Sequence, residues 1–174
     1  MTAPRPPEPV TLIVGMLAGK RALFDAAEER LAELYGPVDL RSPVIDFDFT
    51  DYYEPQMGRG LKRMFVSFAR KIDPGEIAAI KIETNELELE LAPLETSVAR
   101  PINLDPGYVC GSKLVLASAK DRSQRIYVGR GIYVEITLEF RTGRFSPVET
   151  TYRDYASEPY IEFFTKVRER HLAR

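Results

Sequence analysis

The segment from Ile132 to Phe140 limits the possible folds of this chain more than any other. Ile132, Val134, Ile136, Leu138 and Phe140 alternate with Tyr133, Glu135, Thr137 and Glu139, which is the two-residue period of a strand with one buried face. Thr142-Gly143 then turns the chain into residues 144–148, as in a hairpin. Such a strand needs partners along its edges and a cover for its apolar side. The rest of the chain supplies both. Residues 10–17 are a short apolar run, followed by helical spacing at Phe24, Ala27, Leu31 and Leu34 and a stop at Gly36-Pro37. Residues 44–50 alternate Ile45, Phe47 and Phe49 with Asp46, Asp48 and Thr50, and residues 61–69 read as a strand covered on both faces. Asp73-Pro74 opens a second helix carried by Ile77, Ile80, Thr84, Leu87 and Leu91. Strands resume at 113–119 and 125–129, and Ser157 begins a last helix with Tyr160, Phe164, Val167 and His171 on one stripe.

The element order, β-α-β-β-α-β followed by three strands and a helix, predicts an α+β fold. Its expected architecture is a ferredoxin-like split βαβ core extended by a β-hairpin and a C-terminal helix. Helices are expected on one face of a mostly antiparallel sheet, with Ile45, Phe47, Met64, Val66, Ile132, Val134 and Ile136 in one core. Residues 1–9, with prolines at 4, 6, 7 and 9, predict an extended tail, and residues 10–174 a single α+β domain.

Composition narrows the function classes. An apolar content of 44% over 174 residues is enough to build a core rather than a disordered chain. No run approaches the ~18 apolar residues of a membrane span. A net charge of −2 argues against a generally basic nucleic-acid binder, though not against a local basic patch. With Cys110 as the one cysteine, an internal disulfide and sites of the Cys-rich zinc or iron–sulfur kind are excluded, and nothing points to haem. The start of the chain lacks a basic-then-apolar signal pattern, so the expectation is a cytoplasmic protein.

Four segments could carry chemistry. Gly15-Met-Leu-Ala-Gly19-Lys20-Arg21 looks like a phosphate-binding loop, but it is one residue short and has Arg21 where a magnesium-binding hydroxyl belongs. It reads as an ordinary strand-to-helix turn. Asp46, Asp48, Asp51 and Glu54 could converge at a strand end to hold magnesium. Alternatively, Asp48, Asp51 or Asp105 could act as a catalytic general base, or the acids could form a solvated strand face. Asn103-Leu-Asp-Pro-Gly-Tyr108 reads as a turn, with Pro-Gly suited to type II geometry. Finally, Lys113, Lys120, Arg122, Arg125 and Arg130 cluster against Asp121 alone. With Tyr108, Tyr127 and Tyr133 they could hold phosphate and stack bases, or Arg125 could simply pair with Glu135 across a hairpin. Asp48, Asp51, Asp105, Tyr108, Lys113 and Arg130 are expected to line one cleft. His171, in a final helical turn, suits a dipole interaction rather than catalysis, and no Ser-His-Asp or Cys-His arrangement is present.

Taken together, Leu12-Ile-Val-Gly-Met16, Phe47-Asp-Phe-Thr-Asp-Tyr-Tyr-Glu54, Met57-Gly58 with Leu61-Lys-Arg63, Thr84-Asn-Glu86, Asn103-Leu-Asp-Pro-Gly-Tyr108, Ser112-Lys-Leu-Val-Leu-Ala117, Arg125-Ile-Tyr-Val-Gly-Arg-Gly-Ile-Tyr133, Thr151-Tyr152, Asp154-Tyr155 and the final helix resemble a known family. It is the prokaryotic family registered as domain of unknown function 4416. The resemblance spans nearly the whole chain after the proline tail and implies one compact domain without an established activity. Some members carry a GTP-binding label, which the Gly15–Lys20 spacing does not match. Relatives often have a histidine where this chain has Gln124. Three readings follow: a binding module for an anionic ligand (a nucleotide or short RNA), a metal-dependent enzyme using Asp48, Asp51 or Asp105, and a protein-assembly factor. The sequence does not set the oligomeric state.

Overall fold

A computed structural model describes residues 2–173. In chain order the elements are β1 (Val10–Ala18), α1 (Arg21–Tyr35), β2 (Val38–Arg41), β3 (Ile45–Asp46), the single turn α2 (Glu54–Met57), β4 (Lys62–Ile72), α3 (Ile77–Leu91), β5 (Ile102–Val109), β6 (Lys113–Ser118), β7 (Ile126–Gly129), β8 (Ile132–Arg141), β9 (Arg144–Pro147) and α4 (Glu158–Leu172). The fold is therefore α+β. Residues 2–9 are exposed and carry neither helix nor strand. Among the described residues no helix is long and apolar enough to cross a membrane.

The strands form one sheet in the order β2-β4-β1-β5-β6-β8-β7, with β3 added to β4 and β9 to β8. Every pairing is antiparallel. Central β1 is apolar at successive positions because it is covered on both faces. On one face, α1 and α3 pack over Leu12, Val14 and Met16 of β1 and Met64, Val66 and Phe68 of β4. On the other, Tyr160, Phe163, Phe164 and Val167 of α4 pack over Ile13, Phe65, Leu114 and Leu138. A smaller cluster holds Leu17, Phe47, Met57 and Leu61.

Helices thus cover both faces, not one, and the expected single core divides. Met64, Val66 and Ile132 lie under α1 and α3 with Val134 against them. Ile45 packs toward α4, Phe47 joins the smaller cluster, and Ile136 is 44% exposed. The cause in β8 is a bulge. Val115 pairs with Ile136 while the adjacent Leu114 pairs with Leu138, leaving Thr137 as the extra residue. An extra residue reverses which face the later side chains meet, so Ile132 and Leu138 fall in different cores.

Two other expectations need correction. Only Ile45 and Asp46 of residues 44–50 pair with β4. The Phe47 N–H still donates to the Leu61 carbonyl at 2.9 Å; beyond it the chain leaves the sheet, with the Phe47 ring against Phe49 and Tyr53, centroids 5.8 Å apart in both pairs. A short strand, β2, which the sequence reading missed, pairs with β4 at the edge of the sheet. The segment Asn103–Tyr108 is no turn either, since it lies within β5. A Cβ on Gly107 would meet the Val115 carbonyl oxygen at 2.3 Å, so this glycine permits close approach of β5 to β6.

Candidate functional site

The site begins where the sheet forks. β5 pairs with β6 only at Gly107–Val109, opposite Leu116, Val115 and Leu114, whereas Ile102–Pro106 pair with β1 alone. The freed edge must still satisfy its backbone polar groups. Helix α3 supplies the partners: Glu88 accepts from the Leu104 N–H at 2.7 Å, and Lys81 Nζ donates to the Leu104 carbonyl at 2.8 Å. Strand backbone direction repeats every two residues, so Pro106 faces the same gap, and proline has no N–H to leave orphaned there. The residues that looked like turn chemistry are those that let a central strand lose one neighbour.

A cleft of about 610 Å³ occupies the fork. Its base is Arg63, 2% exposed, projecting from β4. Gly15 of β1 makes the space: a Cβ there would sit 2.9 Å from the Phe65 ring and 3.3 Å from Arg63 Nη1. Gly15 is therefore a mid-strand residue that accommodates an arginine, not part of a phosphate loop, and Lys20 forms an ion pair with Glu95. Arg63 Nη1 donates to Asp105 at 3.0 Å, and its Nη2 lies 3.6 Å from Asp154. The guanidinium carbon is 5.3 Å from the centre of the Phe47 ring. Asn103 Nδ2 donates to the same Asp105 oxygen at 2.7 Å, while Asn103 Oδ1 accepts a hydrogen bond from Arg100. Arg100 also pairs with Glu88 at 2.8 Å.

The two acids on Arg63 titrate in opposite directions. Burial would raise Asp105, but the charge of Arg63 and the hydrogen bonds from Arg63 and Asn103 hold the carboxyl below its ordinary range. At Asp154 burial prevails over Arg63, and the carboxyl is pushed up. Burial, joined by the charge of Asp105, also lifts the Tyr53 phenol to about 12. Arg63 Nε and the Tyr155 hydroxyl are buried and have no hydrogen-bond partner among the described residues.

The mouth is cationic and aromatic. Lys120 donates to the Tyr52 hydroxyl at 2.7 Å and lies 4.9 Å from the centre of that ring. Arg125 pairs with Glu135 at 3.0 Å and donates to Ser118 Oγ at 2.8 Å, so the expected cross-hairpin pairing is present. Arg122 and Arg153 also line the cleft, and among the described residues neither has an ion-pair partner. Seven basic side chains in the lining face three carboxylates, Asp105, Glu135 and Asp154.

Of the residues singled out from sequence, Asp105, Lys120 and Arg125 line this cleft, as does Arg122 of the basic cluster. The others do not. Asp46 pairs with Lys62 on the sheet edge, while Asp51 and Glu54 border a shallow hollow with Arg59. Asp48 lies in the segment that leaves the sheet. Among the described residues no group of three or more His, Cys, Asp or Glu side chains could hold a metal, so the expected carboxylate convergence does not form. Lys113 begins β6 opposite Glu139, at the far end of that strand from the cleft. Arg130 sits in the β7–β8 turn with φ of 57°. Tyr127 packs on Tyr133 at 5.3 Å along that hairpin, and Tyr108 is half-buried against the α1/α3 core. His171 lies in the last turn of α4, where the dipole reading places it. Its Nδ1 is 2.9 Å from Thr11 Oγ1, and burial lowers its pKa.

The sequence reading gave no site role to Arg63, Lys81, Arg100, Arg153 and Asp154, although Arg63 and Asp154 lie in the motifs that carry the family resemblance. Two left a signal. Arg63 is a cation beside a fully apolar strand run, and Lys81 falls four residues after Ile77 and three before Thr84, on the buried stripe of α3.

The chain belongs to the family described as Domain of unknown function (DUF4416), whose model matches residues 8–171. No curated protein and no solved structure matches it.

Proposed function

We propose that this protein is a binding module for a small anionic ligand carrying a planar ring, with a mononucleotide as the class the cleft suits best. One observation carries the reading: Lys120, Arg122 and Arg153 line the cleft without a carboxylate partner among the described residues, beside the rings of Tyr52, Tyr53 and Tyr152. Like charges held together repel, and an anion relieves that repulsion. Arginine forks bind phosphate directionally, and tyrosine faces accept a base. The unpaired Arg63 Nε and Tyr155 hydroxyl offer two buried donors deeper in the cleft. The volume falls within the ~300–1,000 Å³ of small-molecule sites, which favours a single nucleotide over a short RNA.

For the scaffold, we read the path β2-β4-β1-β5, with α1 and α3 on one face, as a ferredoxin-like split βαβ core to which β6–β9 and α4 are added. The metal-dependent alternative keeps one of its three proposed carboxylates, Asp105, in the cleft.

Thermal melting with mononucleotides, inorganic phosphate and a short oligonucleotide, each with and without magnesium, tests the reading. Ligand at about 100 times its Kd stabilises by about 2.7 kcal/mol, roughly 5–10 °C for a chain of this size. A mononucleotide shift without magnesium, abolished in Arg122→Glu/Arg153→Glu, is expected. A shift that requires magnesium would favour the enzyme, and one confined to the oligonucleotide would favour RNA. No shift with any of them would refute anion binding and leave the assembly factor.

A further inference from the structure

We propose that Lys81 is a nucleophilic amine that condenses with the carbonyl group of an anionic ligand seated in the cleft. The ligand's charge rests on the anion-binding reading above; the reactivity of the amine rests on its own surroundings. Lys81 lies on the buried stripe of α3, yet its side chain reaches the cleft through the fork between β5 and β6. Its hydrogen bond goes to a neutral acceptor, the Leu104 carbonyl at 2.8 Å. Among the described residues no carboxylate lies within ion-pair distance, whereas in the same lining Arg63 has two and Arg100 and Arg125 have one each. A buried ammonium without a carboxylate is unfavourable, and giving up a proton removes the cost.

The groups acting on the amine come from every side. Burial lowers its pKa most; Asp105 of β5 and Glu88 of α3 raise it, and Arg100 and Lys120 lower it further, leaving it depressed. A deprotonated lysine in a largely enclosed site is the usual requirement for imine formation. The amine nitrogen adds to the carbonyl carbon. The carbonyl oxygen then leaves as water with the two amine protons, and a carbon–nitrogen double bond remains. Lys120, Arg122 and Arg153 at the mouth would hold a phosphate or carboxylate on the same ligand. The ligand class is thus a phosphorylated or carboxylated aldehyde or ketone, with a planar ring accepted by Tyr52 and Tyr53.

The competing role for Lys81 is purely structural, as a cap for the Leu104 carbonyl. Borohydride trapping separates the two. The full chain is incubated at pH 7 with pyridoxal 5′-phosphate, or with pyridoxal, which lacks the phosphate. Borohydride then delivers hydride to the imine carbon, and the labelled lysine is identified by peptide mass mapping. The expected result is labelling of Lys81 by the phosphorylated aldehyde at least ~10-fold above any of the other six lysines. It should be ~10-fold weaker with pyridoxal and suppressed by inorganic phosphate. Lys81→Arg, which keeps a donor for Leu104, should melt within about 1 °C of the parent and lose the adduct. Should Lys81→Arg fail to fold, the distribution of label in the parent chain decides alone. Labelling spread evenly over exposed lysines, or an unlabelled Lys81, overturns the proposal; a persisting phosphate-induced melting shift would then leave the anion site standing. Equal labelling of Lys81 by both aldehydes, indifferent to phosphate, supports the amine and removes the anion site.

Discussion

The two faces of β1 and β4 meet very different surroundings. Toward α1 and α3 the side chains are Leu12, Val14, Met16, Met64, Val66 and Phe68, all buried and apolar. Toward α4 the same strands present Ile13 and Phe65, but also Gly15 and the buried Arg63. The first face depends on filled volume. The second depends on a glycine vacating space for a guanidinium that two carboxylates and two aromatic rings then surround. In a strand covered on both sides, an isolated charge or glycine among apolar residues marks the side that carries the site.

The largest expected effect is at the polar face. Arg63→Met leaves Asp105 and Asp154 facing each other without their cation and should destabilise by about 3–5 kcal/mol, read from urea unfolding. A loss below ~1 kcal/mol would mean the cluster is no more important than a surface ion pair. On the apolar face, Leu12→Ala should cost about 3 kcal/mol by transfer and cavity terms, and the ligand-induced melting shift should survive at temperatures where the variant is folded. If that shift disappears, the two faces are not separable.

The next contrast lies within the Arg63 cluster. Asp105 has a folded pKa below its unfolded one, so its contribution is present above the unfolded pKa and is lost as pH falls through the folded value. Asp154 has a raised pKa, so its contribution is present below the unfolded value and is lost as pH rises through the folded one. Asp105→Asn should therefore destabilise at pH 7 by about 1.5–3 kcal/mol, the range for hydrogen bonds to charged groups, and flatten the acid limb of a stability–pH curve. Asp154→Asn should have a smaller or opposite effect at pH 7. Matching losses for the two variants would contradict the opposed shifts. The smallest effect belongs to Lys20→Ala. Lys20 is exposed although its partner Glu95 is largely covered, so the loss should be about 1 kcal/mol, and the nucleotide melting shift should be unchanged. A shift that disappears with Lys20 would return phosphate binding to the loop after β1.

Strand existence was legible because alternation reports burial directly: β1, β4, β6 and β8 all lie where apolar periodicity put them. The hidden features depend on pairs distant in sequence. Nothing within Ile132–Phe140 marks Thr137 as a bulge, since the extra residue is defined only against Leu114 and Val115. Pro106-Gly107 carries turn-like chemistry for a different reason: β6 departs at the proline and crowds the glycine. The basic run from Lys113 to Arg130 was visible, but the course of the hairpin sends Lys120, Arg122 and Arg125 to the cleft and Arg130 to a turn. Arg63 and Lys81 were legible in principle, as charges at positions where their neighbours are buried.

The fork also affects how the molecule can move. Backbone pairing between the β2-β4-β1-β5 half of the sheet and the β6-β8-β7 half runs through three residue pairs, Gly107 with Leu116, Tyr108 with Val115 and Val109 with Leu114. Elsewhere the halves are joined by side chains: Ala117 and Ile132 in the α1/α3 core, Leu114 and Leu138 in the α4 core. We expect any widening of the cleft to begin at these three rungs, with the two cores resisting it. Such breathing would appear in hydrogen exchange as shared, ligand-sensitive exposure of the amides flanking the seam, while the pairing between β1 and β4 stays protected throughout.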